Sequence, residues 1–162
     1  LALADVNASN YSAIVFVGGW GASSYQYAFS GTYNNSAYNG TVAIRTRVNQ
    51  LINDFVAQEK LVTALCHGVS ILAWARVNGQ SLLQGRTVST YGGGSPASNI
   101  VAAQLSRWHS DVNGATVFTN GAVGNTGTAT DDVIVDGRII TGENFDSARQ
   151  FGITIANRLR NP

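Results

Sequence analysis

The sequence is poor in charged residues and has no long apolar run. Charged residues make up 12% of the 162 positions, against about 25% in an ordinary soluble domain, and the formal net charge is +1. Without a basic run there is no electrostatic footprint for a nucleic acid, so we expect no nucleic-acid partner. No apolar run is long enough to span a bilayer, and we expect no membrane partner either.

Sulfur is nearly absent from the chain. Cys66 is the only cysteine, which rules out an internal disulfide. There is no methionine, and because the chain opens at Leu1 we expect it to be a processed product or a fragment of a longer protein. The 162 residues, of which 44% are hydrophobic, are enough for a core and predict a single globular domain over residues 1–162.

Residues 61–74 are the most informative stretch. The apolar run over 61–65 predicts a buried parallel strand; Cys66 follows at once, and the spacing then becomes helical. A strand that turns directly into a helix at a nucleophile is the plan of a nucleophile elbow. Small residues must flank such a corner two positions on each side, and Ala64 and Gly68 occupy those positions.

This corner would place the sulfur of Cys66 at the N-terminus of a helix. The helix dipole and the free N–H groups there favour a thiolate. We therefore predict that Cys66 is a nucleophile with a lowered pKa. The alternative is a buried structural cysteine, since free cysteine is among the most buried residue types.

Elsewhere the sequence alternates strand patterns with helix patterns. A continuous apolar run predicts a strand over 11–17, and apolar residues spaced three and four apart predict a helix over 42–58. The elbow helix is predicted to end at Asn78-Gly79, strands are predicted over 87–91 and 115–119, and a helix is predicted to start at Ser95 and Pro96 with inner residues Ile100, Val101 and Leu105. A small-residue loop over 121–130 is followed by a hairpin over 133–140 with Asp136-Gly137 as its turn. The last predicted helix is capped by Asp146 or Ser147 and buries Ala148, Phe151, Ile155 and Leu159. This order argues for a three-layer α/β fold with a mainly parallel sheet.

A glycine-rich loop follows the first predicted strand. In an open α/β sheet, ligands bind beyond the carboxyl ends of the strands, where both this loop and the elbow are expected. The residue after an elbow nucleophile supplies one oxyanion donor, so we predict an oxyanion hole formed by the backbone N–H groups of His67 and Gly19. Gly18, Trp20 and Gly21 would line the pocket, although a lone aromatic beside glycines is as often a packing plug.

Several polar features have alternative interpretations. Residues 22–41 have no period and predict a long loop, either a lid or binding loop or a solvated insertion. His67 is either the catalytic partner of Cys66 or contributes only its backbone N–H. His109 is expected to be exposed or to face a helix end, and Glu143 to cap a helix or to be solvated. Because Cys66, His67 and His109 lack the spacing of metal ligands, we expect no metal, and we expect no other cofactor.

Four segments resemble the ThiJ/PfpI family, the DJ family of class I glutamine-amidotransferase-like proteins. They are YSAIVFVGGWGA (11–22), ALCHGVSILA (64–73), LLQGRTVSTY (82–91) and VIVDGRIITGENFDSA (133–148). The resemblance implies a flavodoxin-like fold, Cys66 as the nucleophile, His67 as its partner, and the N–H groups of Gly19 and His67 as the oxyanion hole. The family includes glyoxalases that make hydroxy acids from 2-oxoaldehydes, isocyanide hydratases, peptidases, deglycases and regulators that keep only the fold.

The sequence departs from the family pattern at its start. Family members begin with a strand, a helix and a further strand before the segment that resembles 11–17, and they carry there a Glu that hydrogen bonds the cysteine. Residues 1–162 are therefore expected to be the larger, C-terminal part of the family fold. We expect an N-terminal segment of the same precursor, or a second chain, to complete the sheet and to bring an acidic group to Cys66. A homo-oligomer is also expected.

Two classes of function remain open at this stage. The first is a cysteine-dependent lyase or hydrolase, similar to glyoxalases, hydratases or peptidases, that acts on a small carbonyl compound or a related electrophile. The second is a non-catalytic sensor, structural or assembly domain in which Cys66 is merely oxidisable. The resemblance favours a cytoplasmic location, whereas the single lysine, Lys60, and the abundance of Asn, Ser, Thr and Gly favour an exported protein.

Overall fold

The computed structural model of the chain describes residues 2–92, 106–118 and 133–161. Two predictions lie outside these residues. One is the helix that starts at Ser95 and Pro96, with its inner residues Ile100, Val101 and Leu105. The other is the small-residue loop over 121–130.

The central sheet has four strands and is mainly parallel. The strands in the described ranges are β1 (Ala13–Phe16), β2 (Leu61–Leu65), β3 (Arg76–Val77), β4 (Gln80–Ser81), β5 (Thr87–Ser89), β6 (Thr116–Phe118), β7 (Val133–Asp136) and β8 (Ile139–Gly142). In the central sheet the order is β1-β2-β8-β7; β2 is parallel to β1 and to β8, and β7 is antiparallel to β8. β5 and β6 form a second, parallel pair, and β3 and β4 form a short hairpin. The predicted fold class is confirmed.

Helices cover both faces of the sheet. The α-helices among the described residues are α1 (Val42–Ala57), α2 (Val69–Trp74), α3 (Ser106–Asp111) and α4 (Ala148–Arg160). The side chains of β2 alternate between the two faces: Val62 and Ala64 belong to the core with α1 and α2, whereas Leu61 and Leu65 pack with Phe151 of α4. Because both faces are covered, all five residues of β2 are buried, as its continuous apolar run predicts.

β1 is an edge strand of the described sheet. One side of β1 pairs with β2, from Ala13 opposite Leu61 to Phe16 opposite Ala64, and no described strand pairs with its other side. Val15 is 44% exposed and Val17, just beyond the strand, is 72% exposed. In the described part of the chain, this edge therefore leaves backbone hydrogen-bonding groups and apolar side chains uncovered.

The predicted end of the elbow helix at Asn78-Gly79 is wrong. α2 ends at Trp74, and Asn78 and Gly79 form the turn between β3 and β4. Both residues have positive φ, 52° and 81°, which is the backbone conformation that makes Asn-Gly a favoured two-residue hairpin turn. The short strands on either side carry too few residues to reveal a pattern of period two.

The late hairpin is confirmed, but its turn is one residue later than predicted. Asp136 pairs with Ile139, so the turn residues are Gly137 and Arg138. The Asp136 carboxylate accepts hydrogen bonds from the backbone N–H of Thr87 (2.8 Å) and from Nη1 of Arg86 (2.8 Å). The bond from Thr87, and to a lesser degree that from Arg86, holds the pKa of Asp136 below its usual range. The two bonds also tie the hairpin to β5.

The last helix is confirmed, but its cap and its inner face differ from the prediction. No side chain of Asp146 or Ser147 caps it; Asn144 instead accepts from the N–H of Asp146 at the start of a preceding 3₁₀ turn. Of the four predicted inner residues, Phe151 is buried and Ile155 is half-buried, whereas Ala148 and Leu159 are exposed. A helix of 13 residues is about 20 Å long, whereas four-residue strands span about 13 Å, so the sheet covers only part of α4.

Residues 22–41 are not a solvated insertion. They contain two short 3₁₀ segments, and the side chains of Gln26, Phe29 and Tyr33 are buried. The ring of Phe29 lies 5.1 Å from that of Trp74 and 5.3 Å from that of His109, measured between centroids. This loop therefore packs against α2, which carries Trp74, and against α3, which carries His109.

Candidate functional site

The elbow has the strained corner that the sequence predicts. Cys66 has φ +59°, a left-handed conformation that non-glycine residues adopt rarely, and a 3₁₀ turn, Cys66–Gly68, leads from β2 into α2. A Cβ on Gly68 would collide with the carbonyl oxygen of Phe16, and one on Gly18 with the carbonyl oxygen of Leu65. Small residues are therefore required where β1, its following loop and the elbow approach each other.

Two backbone donors converge on the sulfur of Cys66. The N–H groups of His67 and Gly19 both hydrogen bond to it. Gly19 has φ +76° and precedes a 3₁₀ helix, Trp20–Tyr25, so the N–H comes from the loop after β1. This is the pair of donors named from the sequence, brought together from two distant segments. Their role in stabilising an oxyanion stays a prediction.

The predicted lowering of the Cys66 pKa is wrong for the described structure. Burial raises the pKa of the thiol, and the hydrogen bonds from His67 and Gly19 offset this only in part. No described cation lies close enough to the half-buried sulfur to lower its pKa. The helix that follows, α2, has six residues and is too short to supply a full helix dipole. The geometry therefore favours the neutral thiol in the absence of a further base.

We expect iodoacetamide to label Cys66 with a midpoint above the ~8.5 of a free cysteine. The chain has one cysteine, so the denatured chain gives its own reference value. Because the folded pKa exceeds the unfolded one, the thiol stabilises the folded state below the unfolded pKa, and this contribution is lost as the pH rises through the folded value. A midpoint below that of the denatured chain would contradict the assignment.

The imidazole of His67 is held by residues other than Cys66. Its Nδ1 is hydrogen bonded to Oγ of Ser106, and its ring lies 4.5 Å from the ring of Tyr91. Burial lowers the pKa of His67 to about 4, so the ring is neutral at neutral pH. In this structure His67 meets the sulfur through its backbone N–H. A catalytic role for its side chain stays a prediction.

A cavity of about 370 Å³ lies at the carboxyl end of β1. Gly18 and Gly21 line this cavity, whereas Trp20 is exposed and lies outside its lining. That these residues form the substrate pocket stays a prediction. The other lining residues are Val15, Phe16, Val17, Ala22, Tyr25 and Ile71. The cavity therefore adjoins the loop that carries Gly19, on the open side of the sheet.

Two polar residues are more buried than their sequence context suggests. His109 is 3% exposed and Glu143 is 1% exposed, so the predictions of an exposed His109 and a solvated Glu143 are wrong. His109 accepts a hydrogen bond from Trp74 at Nδ1, and Glu143 directly follows β8, beside the elbow strand. No periodicity in the sequence marks the burial of His109, because the residues that it contacts, such as Trp74 and Tyr33, come from other segments.

No metal cluster or membrane span is found in the described ranges. Residues 2–92, 106–118 and 133–161 contain no group of three His, Cys, Asp or Glu side chains that could hold a metal ion. No helix in these ranges combines the length and the apolar character needed to cross a bilayer.

The chain is similar to one curated protein across most of its length. No protein-family model matches the sequence. The uncharacterized protein MJ0967 of Methanocaldococcus jannaschii is 29% identical over 151 residues, which are 93% of this chain and 53% of that protein. The chain thus spans about half the length of the curated relative that it matches.

Solved structures share the fold. Glyoxalase III from Candida albicans matches with a TM-score of 0.65 and 17% identity, covering 96% of this chain and 60% of that one. A ThiJ/PfpI domain protein from Brachyspira murdochii matches with a TM-score of 0.64 and 19% identity, covering 99% and 66%. The predicted resemblance is confirmed at the level of the fold, and this chain has the three-layer α/β fold of the ThiJ/PfpI (DJ) proteins.

Proposed function

We propose that the chain is the larger part of a cysteine-dependent enzyme, a lyase or hydrolase, that acts on a small carbonyl compound or a related electrophile. The observation that carries the proposal is the convergence of the N–H groups of Gly19 and His67 on the sulfur of Cys66. Preorganised donors of this kind stabilise the charge that develops when a nucleophile adds to a carbonyl. A glyoxalase III is among the proteins with this fold, so methylglyoxal is the first substrate to test.

The proposed first step is addition of the sulfur to the carbonyl carbon. The thiol proton passes to a base, a C–S bond forms, and the π electrons of the carbonyl move onto its oxygen. The resulting oxyanion develops beside the sulfur, within the region that the N–H groups of Gly19 and His67 face. The left-handed φ of Cys66 presents the sulfur at the corner rather than along the strand.

The raised pKa of the Cys66 thiol means that this step needs a base. We propose that the base is an acidic side chain on a strand that pairs with the open side of β1. Val15 and Val17 are exposed there. A second cavity, of about 300 Å³, runs along the same strand. It is lined by Leu3, Val6, Ile14, Val15, Phe16, Tyr25, Val48 and Leu51. A β-strand added to this edge would cover its apolar side chains and satisfy its backbone groups.

A second candidate is a structural or assembly domain without catalytic activity. A half-buried thiol with a raised pKa and no charged partner among the described residues favours this function, because oxidation and nucleophilic attack both need the thiolate. Turnover of methylglyoxal by the protein with its completing strand present, as wild type and as Cys66→Ala, separates the two candidates. An enzyme loses its turnover with the sulfur, whereas a non-catalytic domain shows none in either form.

We expect Gly19→Val to lower turnover by about a hundredfold, the scale of a lost oxyanion donor. A Cβ at Gly19 would meet no atom within 4 Å, so crowding of the pocket is not the cause. The cause is the φ of +76°, which valine resists, so that the N–H turns away from the sulfur. The measurement is kcat on methylglyoxal.

Gly79→Val is the matched control for this substitution. Gly79 has φ +81°, it also has open space around its Cβ position, and it lies in the β3–β4 turn away from Cys66. Both variants should lose stability by about 1–2 kcal/mol, the cost of a left-handed residue. Equal turnover in the two folded variants would refute the role given to Gly19.

A further inference from the structure

A buried chain of hydrogen bonds joins residues 22–41 to the elbow. Oη of Tyr33 donates to Oε1 of Gln26 (2.6 Å), and Nε2 of Gln26 donates to Oγ of Ser70 (2.8 Å). Oγ of Ser70 donates in turn to the carbonyl oxygen of His67 (2.7 Å). All three side chains are at most 2% exposed, so breaking any link leaves a buried polar group unsatisfied.

Beyond Tyr33 the hydrogen-bond chain continues to His109 and Trp74, and these two residues determine which group donates in each bond. The indole N–H of Trp74 can only donate, and it donates to Nδ1 of His109 (2.9 Å). Burial lowers the pKa of His109 to about 4, with His67 a smaller cause, so the ring is neutral and its one proton is on Nε2. Nε2 lies 3.3 Å from Oη of Tyr33 and donates to it. The hydroxyl proton of Tyr33 is then available for Gln26.

The amide of Gln26 therefore has one satisfactory orientation. If it were reversed, Oη of Tyr33 would accept from both His109 and Gln26, and its own proton would lose the Gln26 oxygen, leaving Ser23 as its neighbouring acceptor. Ser70 would then donate to the amide oxygen and release the carbonyl of His67. The reversed amide thus costs hydrogen bonds at both ends, in a place that water does not reach.

Gln26 sits at the junction between the two sources of oxyanion donors. It is the C-terminal cap of the Trp20–Tyr25 3₁₀ helix, and Gly19 is the N-terminal cap of the same helix. Ser70 belongs to the first turn of α2, directly after the elbow. The amide of Gln26 consequently bridges the segment that carries the Gly19 N–H to the segment that carries the His67 N–H.

We infer that Gln26 is a positioning residue of the oxyanion hole, holding the Gly19 segment against the elbow so that both N–H groups reach the sulfur of Cys66. Tyr33 and His109 orient the amide of Gln26, and Oγ of Ser70 accepts a hydrogen bond from it. Residues 22–41 thereby act on the site through Gln26. The inference deepens the proposed function, and it rests on that function only where turnover is the readout.

Gln26→Met tests the inference, because methionine fills a similar volume without hydrogen bonds. With the Gly19 N–H less well held, we expect the iodoacetamide midpoint of Cys66 to rise by about half a pH unit. We expect kcat on methylglyoxal to fall about tenfold with KM within about twofold, since a displaced donor weakens the transition state more than substrate binding. Tyr33→Phe should shift both readouts in the same direction by less.

Asn53→Leu is the matched control. Asn53 makes two side-chain hydrogen bonds, to the carbonyl oxygens of Asn49 (2.7 Å) and Arg76 (2.9 Å), and neither bond leads to the elbow. It should lose stability without moving the Cys66 midpoint. If Gln26→Met does not fold, Tyr33→Phe and Ser70→Ala carry the test. An unmoved midpoint in every folded variant would overturn the inference. A shifted midpoint in a protein that has its completing strand but shows no turnover would support the positioning role and reject the proposed enzyme.

Discussion

Cys66→Ala should lower kcat/KM on methylglyoxal by about a thousandfold or more. The proposed reaction runs through a bond to the sulfur, and no other described residue places a nucleophile between the N–H groups of Gly19 and His67. Alanine inherits the same left-handed corner as cysteine, φ +59°, so backbone strain is nearly equal in the two proteins. The variant should therefore still fold, and thermal unfolding measures the smaller cost of losing the sulfur's contacts separately from the loss of turnover.

Cys66→Ser refines this result. Serine keeps a hydrogen-bonding atom at the corner, but its hydroxyl is a far weaker nucleophile than a thiol, so very little turnover should remain. Lactate formed from methylglyoxal is the quantity to measure, with thermal unfolding as the control for folding. Wild-type turnover in a folded Cys66→Ala protein would remove Cys66 from the reaction.

Residues 1–162 alone should self-associate through β1. Val15 is 44% exposed on this strand, and the backbone groups on the open side of β1 have no partner strand among the described residues. Such an edge pairs readily with another strand, whether that of a second copy or that of a completing segment. Sedimentation velocity over a range of concentrations should show species larger than the monomer.

A charge on the edge should suppress this association. Val15→Lys uses the device by which natural proteins protect edge strands, and it should shift the population to monomer. Val112→Lys is the matched control, because Val112 is also exposed, at 51%, but follows α3 away from the edge. A wild-type chain that stays monomeric at every concentration would count against an incomplete sheet, as would an equal response in the two variants.

The sequence predicts best where local pattern and tertiary environment agree. The bounds of β2 are those of its apolar run, because a strand covered on both faces has no polar side to obscure it. The corner at Cys66 and the small residue at Gly68 are also readable, since the close approach of Phe16 to the elbow excludes a side chain.

It predicts worst where long-range burial decides. The pKa of Cys66 follows from desolvation by residues that are distant in sequence, and no local rule about helix N-termini captures that. The burial of His109 depends on Trp74, Phe29 and Tyr33, which come from other elements. The hydrogen-bond chain through Gln26 is invisible for the same reason, although Gln26 lies in a segment that the sequence already marks as a long loop.

The most direct test of the account is a ¹³C NMR spectrum of the protein saturated with methylglyoxal labelled at its aldehyde carbon. Addition of the thiol to this carbon turns it from trigonal to tetrahedral, and attachment to sulfur gives it a resonance distinct from that of hydrated methylglyoxal. We predict a protein-bound tetrahedral signal in the wild type that is absent from Cys66→Ala and weaker in Gly19→Val. A wild-type spectrum identical to that of Cys66→Ala would contradict a nucleophilic Cys66.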